Sequence, residues 1–348
     1  MRPISNPPNP WLSTDVEWIG EPPEAQLEVF EEESKTILSE NDSPDVGMRW
    51  SLNPYRGCQH ACSYCYARPS HQYWGFGAGT DFDTKIIVKV NAPERLRETF
   101  ARRSWKGERV MFSGNTDCYQ PLEASYRLTR RCLEVCLEHQ NPIHMITKSA
   151  LVRRDVEVLA QLAKRARASV TLSIPFAEDA MAKEVEPYAA KPSLRFEALR
   201  VLAEAGIEVS VNLAPIIPGL NDPDIPEILE RAHAAGAGRA GIIPVRLAAE
   251  VKPVFLERLE RAFPHRVAKV TSALLQIRSG KLSESRFHDR MTGVGPRWQA
   301  IRALFDAHCR RLGMAGDGAG AADGSAREGE DEPTTFRRPS RQGDLFDP

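Results

Sequence analysis

The chain has 348 residues, of which 42% are hydrophobic and 27% charged, and its formal net charge is −1. This composition supports a sizeable core, and no apolar run approaches the roughly 20 residues of a membrane-spanning helix. The near-neutral charge gives no global argument for nucleic acid, a membrane surface or an acidic substrate. Seven cysteines, an odd number concentrated in one motif, indicate a reduced chain without a disulfide framework, so we expect a cytoplasmic protein.

Alternating strand-like and helix-like segments dominate the chain after a proline-rich, acidic start. We expect residues 1–46 to be an irregular N-terminal extension and not a signal peptide. The predicted strands are 50–53, 109–113, 143–147, 169–174, 208–213 and 240–245. The predicted helices are 93–103, 122–139, 153–167, 193–205, 225–235 and 253–262, and Gly206 and Gly236 stand where helices should end. This alternation predicts a parallel sheet with right-handed crossovers.

A doubly wound sheet and a barrel both fit this alternation. No G-x-G-x-x-G follows the first strand, which weakens the dinucleotide-binding version of the doubly wound sheet. We therefore predict an α/β fold with a partial (β/α)6 TIM-type barrel over residues 47–264, because polar loops follow its strands. Two helices, 266–277 and 296–311, predict a C-terminal unit (265–313) packed on the barrel. The remainder, 314–348, is rich in Gly, Ala, Asp and Glu and is expected to be disordered.

Three cysteines at C-x3-C-x2-C spacing, Cys58, Cys62 and Cys65, follow the first predicted strand. Three thiolates can hold three irons of a 4Fe–4S cube, and no nearby cysteine supplies the fourth ligand that ferredoxin-type carriers have. The fourth iron would be open to an exchangeable ligand, as a catalyst requires. A zinc site would instead need His60 or Cys118 as its fourth ligand. A thioredoxin-like pair would use only the second and third cysteines.

Small or polar residues follow the next strands, at the sheet edge where barrel enzymes bind their ligands. They are Gly114, Asn115, Thr116 and Asp117 after the second strand, Lys148 after the third, Ser173 at the end of the fourth, and the segment from Asn212 through Ile216 at the fifth. A turn or helix cap is the alternative role for Asp117, and a solvated position is the alternative for Lys148.

With these segments assembled, residues 40–313 resemble a radical S-adenosylmethionine (radical SAM) protein of the spore photoproduct lyase-like group. The resemblance rests on the cysteine motif and on Asn-Pro-Tyr-Arg-Gly-Cys, Ala-Arg-Pro-Ser-His, Asn-Thr-Asp-Cys-Tyr-Gln-Pro and Ala-Pro-Ile-Ile-Pro-Gly-Leu-Asn-Asp. It implies that a 4Fe–4S cluster on the three cysteines reduces S-adenosylmethionine, and that the resulting 5′-deoxyadenosyl radical abstracts hydrogen from a substrate. It also implies an electron donor of flavodoxin or ferredoxin type and DNA as substrate.

The resemblance further implies roles for individual residues. Gly114, Asn115, Thr116 and Asp117 would contact the cosubstrate, with Asp117 at its ammonium group, although the usual Gly-Gly-Glu is absent. Lys148 and Ser173 match other cosubstrate-contacting positions, and Asn212 to Ile216 resemble the segment that cradles adenine.

Tyr64 and Tyr66 match tyrosines that flank the third cysteine in the lyase, and Tyr66 is a catalytic candidate. The lyase carries a hydrogen-donating cysteine on its second strand, whereas this strand reads Val-Met-Phe-Ser-Gly. Cys118, several residues later, is the candidate donor. Dimer reversal therefore does not follow from the resemblance.

Other functions remain open from sequence. Radical modification of RNA or of a protein side chain is one alternative, and a non-catalytic metal-binding scaffold is another, although a scaffold would not need the polar loops. The peptide from Gln342 to Phe346 resembles short motifs by which bacterial replication and repair proteins dock on the sliding clamp. An accidental match, or a tail that folds back on its own barrel, is the alternative to clamp binding.

Overall fold

The computed structural model describes residues 6–11, 26–316 and 333–339. Its strands are β1 (Glu28–Glu32), β2 (Leu38–Glu40), β3 (Trp50–Leu52), β4 (Tyr55–Arg56), β5 (Lys85–Lys89), β6 (Val110–Phe112), β7 (Ile143–Thr147), β8 (Ala168–Ser173), β9 (Glu208–Ile216), β10 (Arg239–Pro244) and β11 (Ala315–Gly316). Its helices are α1 (Thr80–Thr84), α2 (Ala92–Ala101), α3 (Glu123–Tyr126), α4 (Leu128–Glu138), α5 (Val156–Arg165), α6 (Asp179–Val185), α7 (Pro192–Glu204), α8 (Ile225–Ala234), α9 (Val251–Ala262), α10 (Val267–Ile277) and α11 (Gly295–Leu312).

Six parallel strands form the centre of the main sheet. They pair in chain order, β3-β6-β7-β8-β9-β10, with β2 antiparallel at one edge and β11 parallel at the other. A doubly wound sheet reverses its strand order at a switch point, whereas the order of these six strands does not reverse. The partial (β/α)6 barrel predicted from the sequence is therefore confirmed, and the carboxyl ends of its strands share one edge.

Hydrophobic periodicity explains how the outer helices pack on this sheet. In α8 the buried residues are Ile225, Ile228, Leu229 and Ala232, spaced three and four apart along one face. Each large apolar side chain buried in this way stabilises the fold by about 1.5–3 kcal/mol. The strands they cover are buried on both faces, as in β8, where five of six residues are buried.

Glycines end two of these helices as predicted. Gly206 follows α7 with φ +77°, and its N–H donates to the carbonyl of Ala203 at 2.9 Å. Gly236 follows α8 with φ +93°, and a Cβ there would approach the Ala203 side chain to 2.6 Å. Both positions therefore favour a residue without a side chain.

The N-terminal segment is more regular than the sequence predicted. Within residues 1–46, β1 pairs in parallel with β5, and β2 pairs with β3 on the edge of the barrel sheet. The backbone groups of this segment are thus used by the core sheets. The predicted helix 122–139 is also interrupted, because Arg127 adopts φ +52° between α3 and α4.

The end of the chain departs from the predicted disorder in two places. Residues 315–316 form β11, and residues 333–339 lie against the barrel as a strap. Thr334 donates to the carbonyl of Gly107 at 2.5 Å, and the Arg337 N–H donates to that of His139 at 2.8 Å. The Phe336 ring lies 5.7 Å from that of Phe100. The predicted clamp-binding peptide, Gln342 to Phe346, lies outside the described residues.

The described residues form four apolar clusters, and the two largest fill most of the interior. The larger cluster fills the space between the sheet and its outer helices. The smaller one contains Cys62 and Tyr64 packed with Phe176, Ile217 and Val245 near the carboxyl ends of the strands. Among helices in the described ranges, none is long and apolar enough to cross a membrane.

Candidate active site

The three predicted ligands lie in the loop between β4 and a 3-10 helix at Arg68–Trp74. Cys58 and Cys62 are buried, and Cys65 is partly buried. Burial raises the pKa of all three thiols, and Cys65 raises the pKa of the other two further. The thiols are therefore close enough to interact, and ionising them requires a compensating positive charge such as a bound metal. In the described ranges no three His, Cys, Asp or Glu side chains form a single-ion site.

Gly57 allows this loop to pack closely on its neighbours. Its φ is +75°, and an added Cβ would come within 2.9 Å of the Ile86 side chain and 3.0 Å of the carbonyl oxygens of Phe82 and Lys85. The N–H of Cys58 donates to that same Phe82 carbonyl at 2.8 Å. The glycine before the first cysteine therefore follows from packing.

Arg68 holds the cysteine loop in place through buried hydrogen bonds. Its fully buried guanidinium donates to the carbonyl of Cys62 and to those of Ala78 and Gly79, and it forms an ion pair with Asp83 at 2.9 Å. Burial raises the pKa of Asp83 to about 6 in spite of this cation. The Ala-Arg-Pro-Ser-His motif, on which part of the family resemblance rests, thus supplies the arginine that supports the cysteine loop.

A second buried network joins the loop to β8. The Tyr64 hydroxyl donates to Glu186, which also accepts from Arg195. Arg195 in turn donates to the main-chain carbonyl of Ser173 at 2.8 Å. Tyr64 and Ser173, both predicted to contact the cosubstrate, are therefore connected through a carboxylate and a guanidinium that sequence reasoning missed.

Asp117 lies at the carboxyl ends of β6 and β7. Its carboxylate accepts from the Thr147 hydroxyl at 2.7 Å and from the Lys148 N–H at 2.8 Å, and it lies 3.4 Å from Nδ1 of His60. Burial lowers the pKa of His60 to about 4, outweighing Asp117. Protein donors thus occupy this carboxylate, and the geometry favours a positioning role over the predicted ammonium contact.

Lys148 lies beside the cysteine loop. Its ammonium group is 5.7 Å from the centroid of the Tyr64 ring. It opposes the burial-driven rise in the pKa of the Cys62 and Cys65 thiols. A cation at this place suits an anionic group bound next to a cluster.

The loop after β6 bonds mostly to the protein itself. Asn115 donates to the Ser70 hydroxyl at 3.1 Å, and Thr116 donates through its hydroxyl to the Tyr55 carbonyl at 2.8 Å. Gly114 has φ +97°, and its carbonyl accepts from the Tyr66 hydroxyl at 2.6 Å. These contacts place the loop next to the third cysteine. Because its polar groups bond to the protein, fewer of them are left for direct cosubstrate contact than predicted.

The β9 residues present one feature that fits a ligand. The side-chain oxygen of Asn212 is buried and has no hydrogen-bond partner in the described part of the protein. A buried acceptor without a donor is costly, so an external donor would satisfy it. Ile216 is fully buried at the end of β9, where it can supply only an apolar wall.

Cys118 is not brought to the site. It is fully buried in the larger apolar cluster with Phe112 and Cys132, and its N–H donates to the Ser113 hydroxyl at 3.2 Å. The predicted role as hydrogen donor therefore has no geometric support, because packing directs this side chain into the core.

Arg246 was missed by the sequence reasoning. It follows β10, and its guanidinium lies 5.8 Å from the centroid of the Tyr66 ring, which is 52% exposed. Its only signal in the sequence is its position just after the sixth predicted strand.

Comparisons with known proteins agree with this geometry. A family model described as "Radical SAM superfamily" matches residues 52–232, just over half of the chain. An uncharacterized protein of Mycobacterium tuberculosis is 34% identical over 223 residues, which are 64% of this chain and 66% of that relative, slightly under two thirds of its length. An uncharacterized protein of Methanocaldococcus jannaschii is 30% identical over 57% of this chain and 71% of its own.

Spore photoproduct lyase has a similar fold. Its complex with dinucleoside spore photoproduct matches with a TM-score of 0.59 and 13% identity, covering 83% of this chain and 81% of the lyase. The resemblance to the lyase seen in the sequence is thus confirmed for the fold. From the extent of the family match, together with the three cysteines after the first barrel strand, the chain belongs to the radical SAM superfamily.

Proposed function

We propose that this radical SAM enzyme acts on a nucleic acid and repairs a DNA lesion in a reaction related to that of spore photoproduct lyase. The enzyme's cofactors are a 4Fe–4S cluster and S-adenosylmethionine, which together supply a 5′-deoxyadenosyl radical when bound. Electrons must come from a donor protein, for which a flavodoxin or ferredoxin type is proposed.

The residues at the strand ends fit these cofactors. Cys58, Cys62 and Cys65 are the donors for the cluster, and they are soft thiolate ligands of the kind that iron–sulfur clusters use. Lys148 provides a cation beside them for the cosubstrate carboxylate. The side-chain oxygen of Asn212, which accepts no hydrogen bond from the described residues, provides an acceptor for the cosubstrate.

The observation that carries the nucleic-acid proposal is the exposed ring of Tyr66 next to the third cysteine. Its hydroxyl is fixed by the Gly114 carbonyl, so the ring is held in place, and Arg246 lies near its face. A fixed aromatic ring with a guanidinium beside it is the combination that binds unstacked bases and their phosphates. The lyase with the similar fold is bound to a dinucleoside spore photoproduct.

The proposal leaves the hydrogen donor unassigned. Cys118 lies in the main core, so we do not assign it the donor role that the lyase resemblance suggested. Tyr66 remains the catalytic candidate, because its hydroxyl lies beside the third cysteine and the loop after β6.

Release of 5′-deoxyadenosine tests the proposal. The anaerobically reconstituted enzyme is reduced with S-adenosylmethionine alone, or with ultraviolet-irradiated DNA, undamaged DNA or RNA. We expect irradiated DNA to increase 5′-deoxyadenosine release above the uncoupled rate. Equal release in all four mixtures would contradict the nucleic-acid proposal, and stimulation by RNA alone would favour RNA modification.

A peptide near the C-terminus also favours a DNA-directed function. We propose that Gln342 to Phe346 docks on a bacterial sliding clamp, since Leu345 and Phe346 are an adjacent apolar pair in a polar segment. A labelled peptide of residues 336–348 should bind purified clamp at about micromolar concentration, and Leu345→Ala/Phe346→Ala should abolish binding. No binding at roughly several hundred micromolar would reject clamp docking without touching the radical chemistry.

A further inference from the structure

Three arginines meet at the barrel mouth, beside the cysteine loop. Arg246 follows β10, Arg278 follows α10, and Arg290 lies in the loop before α11. Arg278 donates to the Val245 carbonyl at 3.2 Å, directly before Arg246 in the chain. Cations from three separate segments are therefore grouped at the mouth, and Arg278 is the buried member of the group.

Their charges are only partly balanced. The side chain of Asp45 is buried and pairs with Arg290, and the Glu284 carboxylate pairs with Arg286 at 3.2 Å. Arg278 is held by main-chain carbonyl oxygens. Burial followed by the charge of Arg246 lowers the pKa of Arg278 to about 10, and burial followed by the charge of Arg290 lowers that of Arg246. The arginines thus repel one another.

Arg246 is the member of this group with the poorest partners. One of its terminal nitrogens reaches only the Met291 sulfur, at 3.5 Å, and its Nε is buried without a hydrogen-bond partner among the described residues. No carboxylate in the described part of the chain forms an ion pair with it. A buried cationic donor without an acceptor is costly, and an anionic oxygen would relieve the cost.

Two exposed aromatic rings flank this group. Tyr66 lies 5.8 Å from the Arg246 guanidinium, and Phe287 lies 4.4 Å from that of Arg290. Their exposed fractions are 52% and 53%. The group thus has one ring at each end and cations between them, and a single strand has bases that stack on rings and phosphates that pair with cations.

We propose that Arg246 binds a phosphodiester group of the substrate strand and is the phosphate site, with Tyr66 beside Arg246 and Phe287 beside Arg290 as stacking surfaces for bases. This inference rests on the proposed nucleic-acid function and adds a residue and a ligand group to it. Arg278 and Arg290 raise the positive potential at the phosphate site, while their own hydrogen bonds to other protein groups keep them in position. Asp45 holds the Arg290 side chain in place through its ion pair.

The test measures binding of a fluorescent single-stranded oligothymidylate to the reconstituted holoenzyme at several salt concentrations. We expect Arg246→Gln to weaken binding about tenfold and to reduce the slope of log K against log salt by about 0.7, the value for one phosphate contact in single strands. Arg246→Lys keeps the charge and should recover part of both effects. Arg200→Gln, on the outer face of α7, is the matched control and should bind like the wild type.

Two further measurements separate this inference from the function on which it rests. Equal oligonucleotide affinity and salt slope for wild type and Arg246→Gln would overturn the assignment of Arg246 as the phosphate site. So would a loss of S-adenosylmethionine affinity in that variant with unchanged oligonucleotide binding, since Arg246 would then hold the cosubstrate carboxylate. If the wild type binds no oligonucleotide, the nucleic-acid function fails. In that case the phosphate site is tested by the protection of Arg246 from phenylglyoxal by inorganic phosphate. Protection supports an anion site at Arg246, and full modification rejects it.

Discussion

The Arg68 guanidinium holds the carbonyl oxygen of Cys62 through two nitrogens, Nε at 3.1 Å and Nη2 at 3.0 Å. The same guanidinium pairs with Asp83 at 2.9 Å. The middle cysteine of the motif is therefore fixed by a residue only six positions later, whose charge is balanced by α1. The position of the Cys62 backbone and the stability of the loop are thus coupled through this side chain.

Replacing Arg68 tests this coupling. Arg68→Met leaves Asp83 buried without its cation and should lower the free energy of unfolding by about 3–5 kcal/mol. Denaturant unfolding of the apoprotein measures the change, and iron analysis after reconstitution should show a reduced cluster content. Arg97→Met removes an exposed ion pair on α2 and should cost less than about 1 kcal/mol. Equal losses in the two variants would show that the buried pair has no special role.

The cluster ligands are tested by iron and sulfide content. The triple variant Cys58→Ala/Cys62→Ala/Cys65→Ala should lose the brown iron–sulfur chromophore after anaerobic reconstitution. Cys132→Ala/Cys136→Ala is a matched control, because these two cysteines are buried in the main core. Iron and sulfide retained in the triple variant would contradict the assignment, and zinc in the wild type would favour a structural metal.

The position of Lys148 depends on Asp117. In Asp117→Asn the amide cannot accept from both the Thr147 hydroxyl and the Lys148 N–H as the carboxylate does. We expect S-adenosylmethionine binding to weaken by about 1–3 kcal/mol, with the cluster retained, and Lys148→Ala to weaken it comparably. Calorimetry with the reconstituted enzyme measures the affinity, and Asp306→Asn on α11 is the control. Wild-type affinity for S-adenosylmethionine in both variants would show that these residues have only a structural role.

Buried His71 should make the protein sensitive to mild acid. Burial lowers its pKa from 6.5 to about 4, so its contribution to stability is complete above pH 6.5 and is lost as the pH falls toward 4. The unfolded chain takes up the proton first, and by about pH 5 the loss should reach about 2 kcal/mol. Unfolding of the apoprotein at pH 7 and pH 5 should show a smaller difference for His71→Phe. The exposed His265→Phe should leave the wild-type difference unchanged.

The strap of residues 333–339 should contribute to stability without affecting the cluster. Phe336 packs on Phe100 and His139, so Phe336→Ala should lower the free energy of unfolding by about 1–2 kcal/mol. Gly107→Ala should displace the strap, because an added Cβ would lie 2.2 Å from the Phe336 side chain. Limited proteolysis detects the release of the strap, and Leu194→Ala, an exposed apolar truncation on α7, is the control. Unchanged stability in Phe336→Ala would mean that the strap contributes no net binding energy.

Features that depend only on neighbouring residues could be predicted from the amino-acid sequence. Ligand spacing in Cys58, Cys62 and Cys65 is local, and so are the hydrophobic periods that predict strands and helices in barrel order. The glycines that end α7 and α8 were also predictable, because positive φ is a local requirement.

Which polar side chains at the strand ends bond to one another is visible only in the folded structure. Asp117 meets Lys148 across two strands, Tyr64 meets Glu186 more than a hundred residues later, and Arg290 meets Asp45 from the opposite end of the chain. Cys118 and Asp117 are adjacent in sequence, yet packing buries the first in the core and directs the second to the site. Hydrogen bonds and packing depend on distances in space, so partners this far apart in the chain carry no local pattern by which the sequence could identify them.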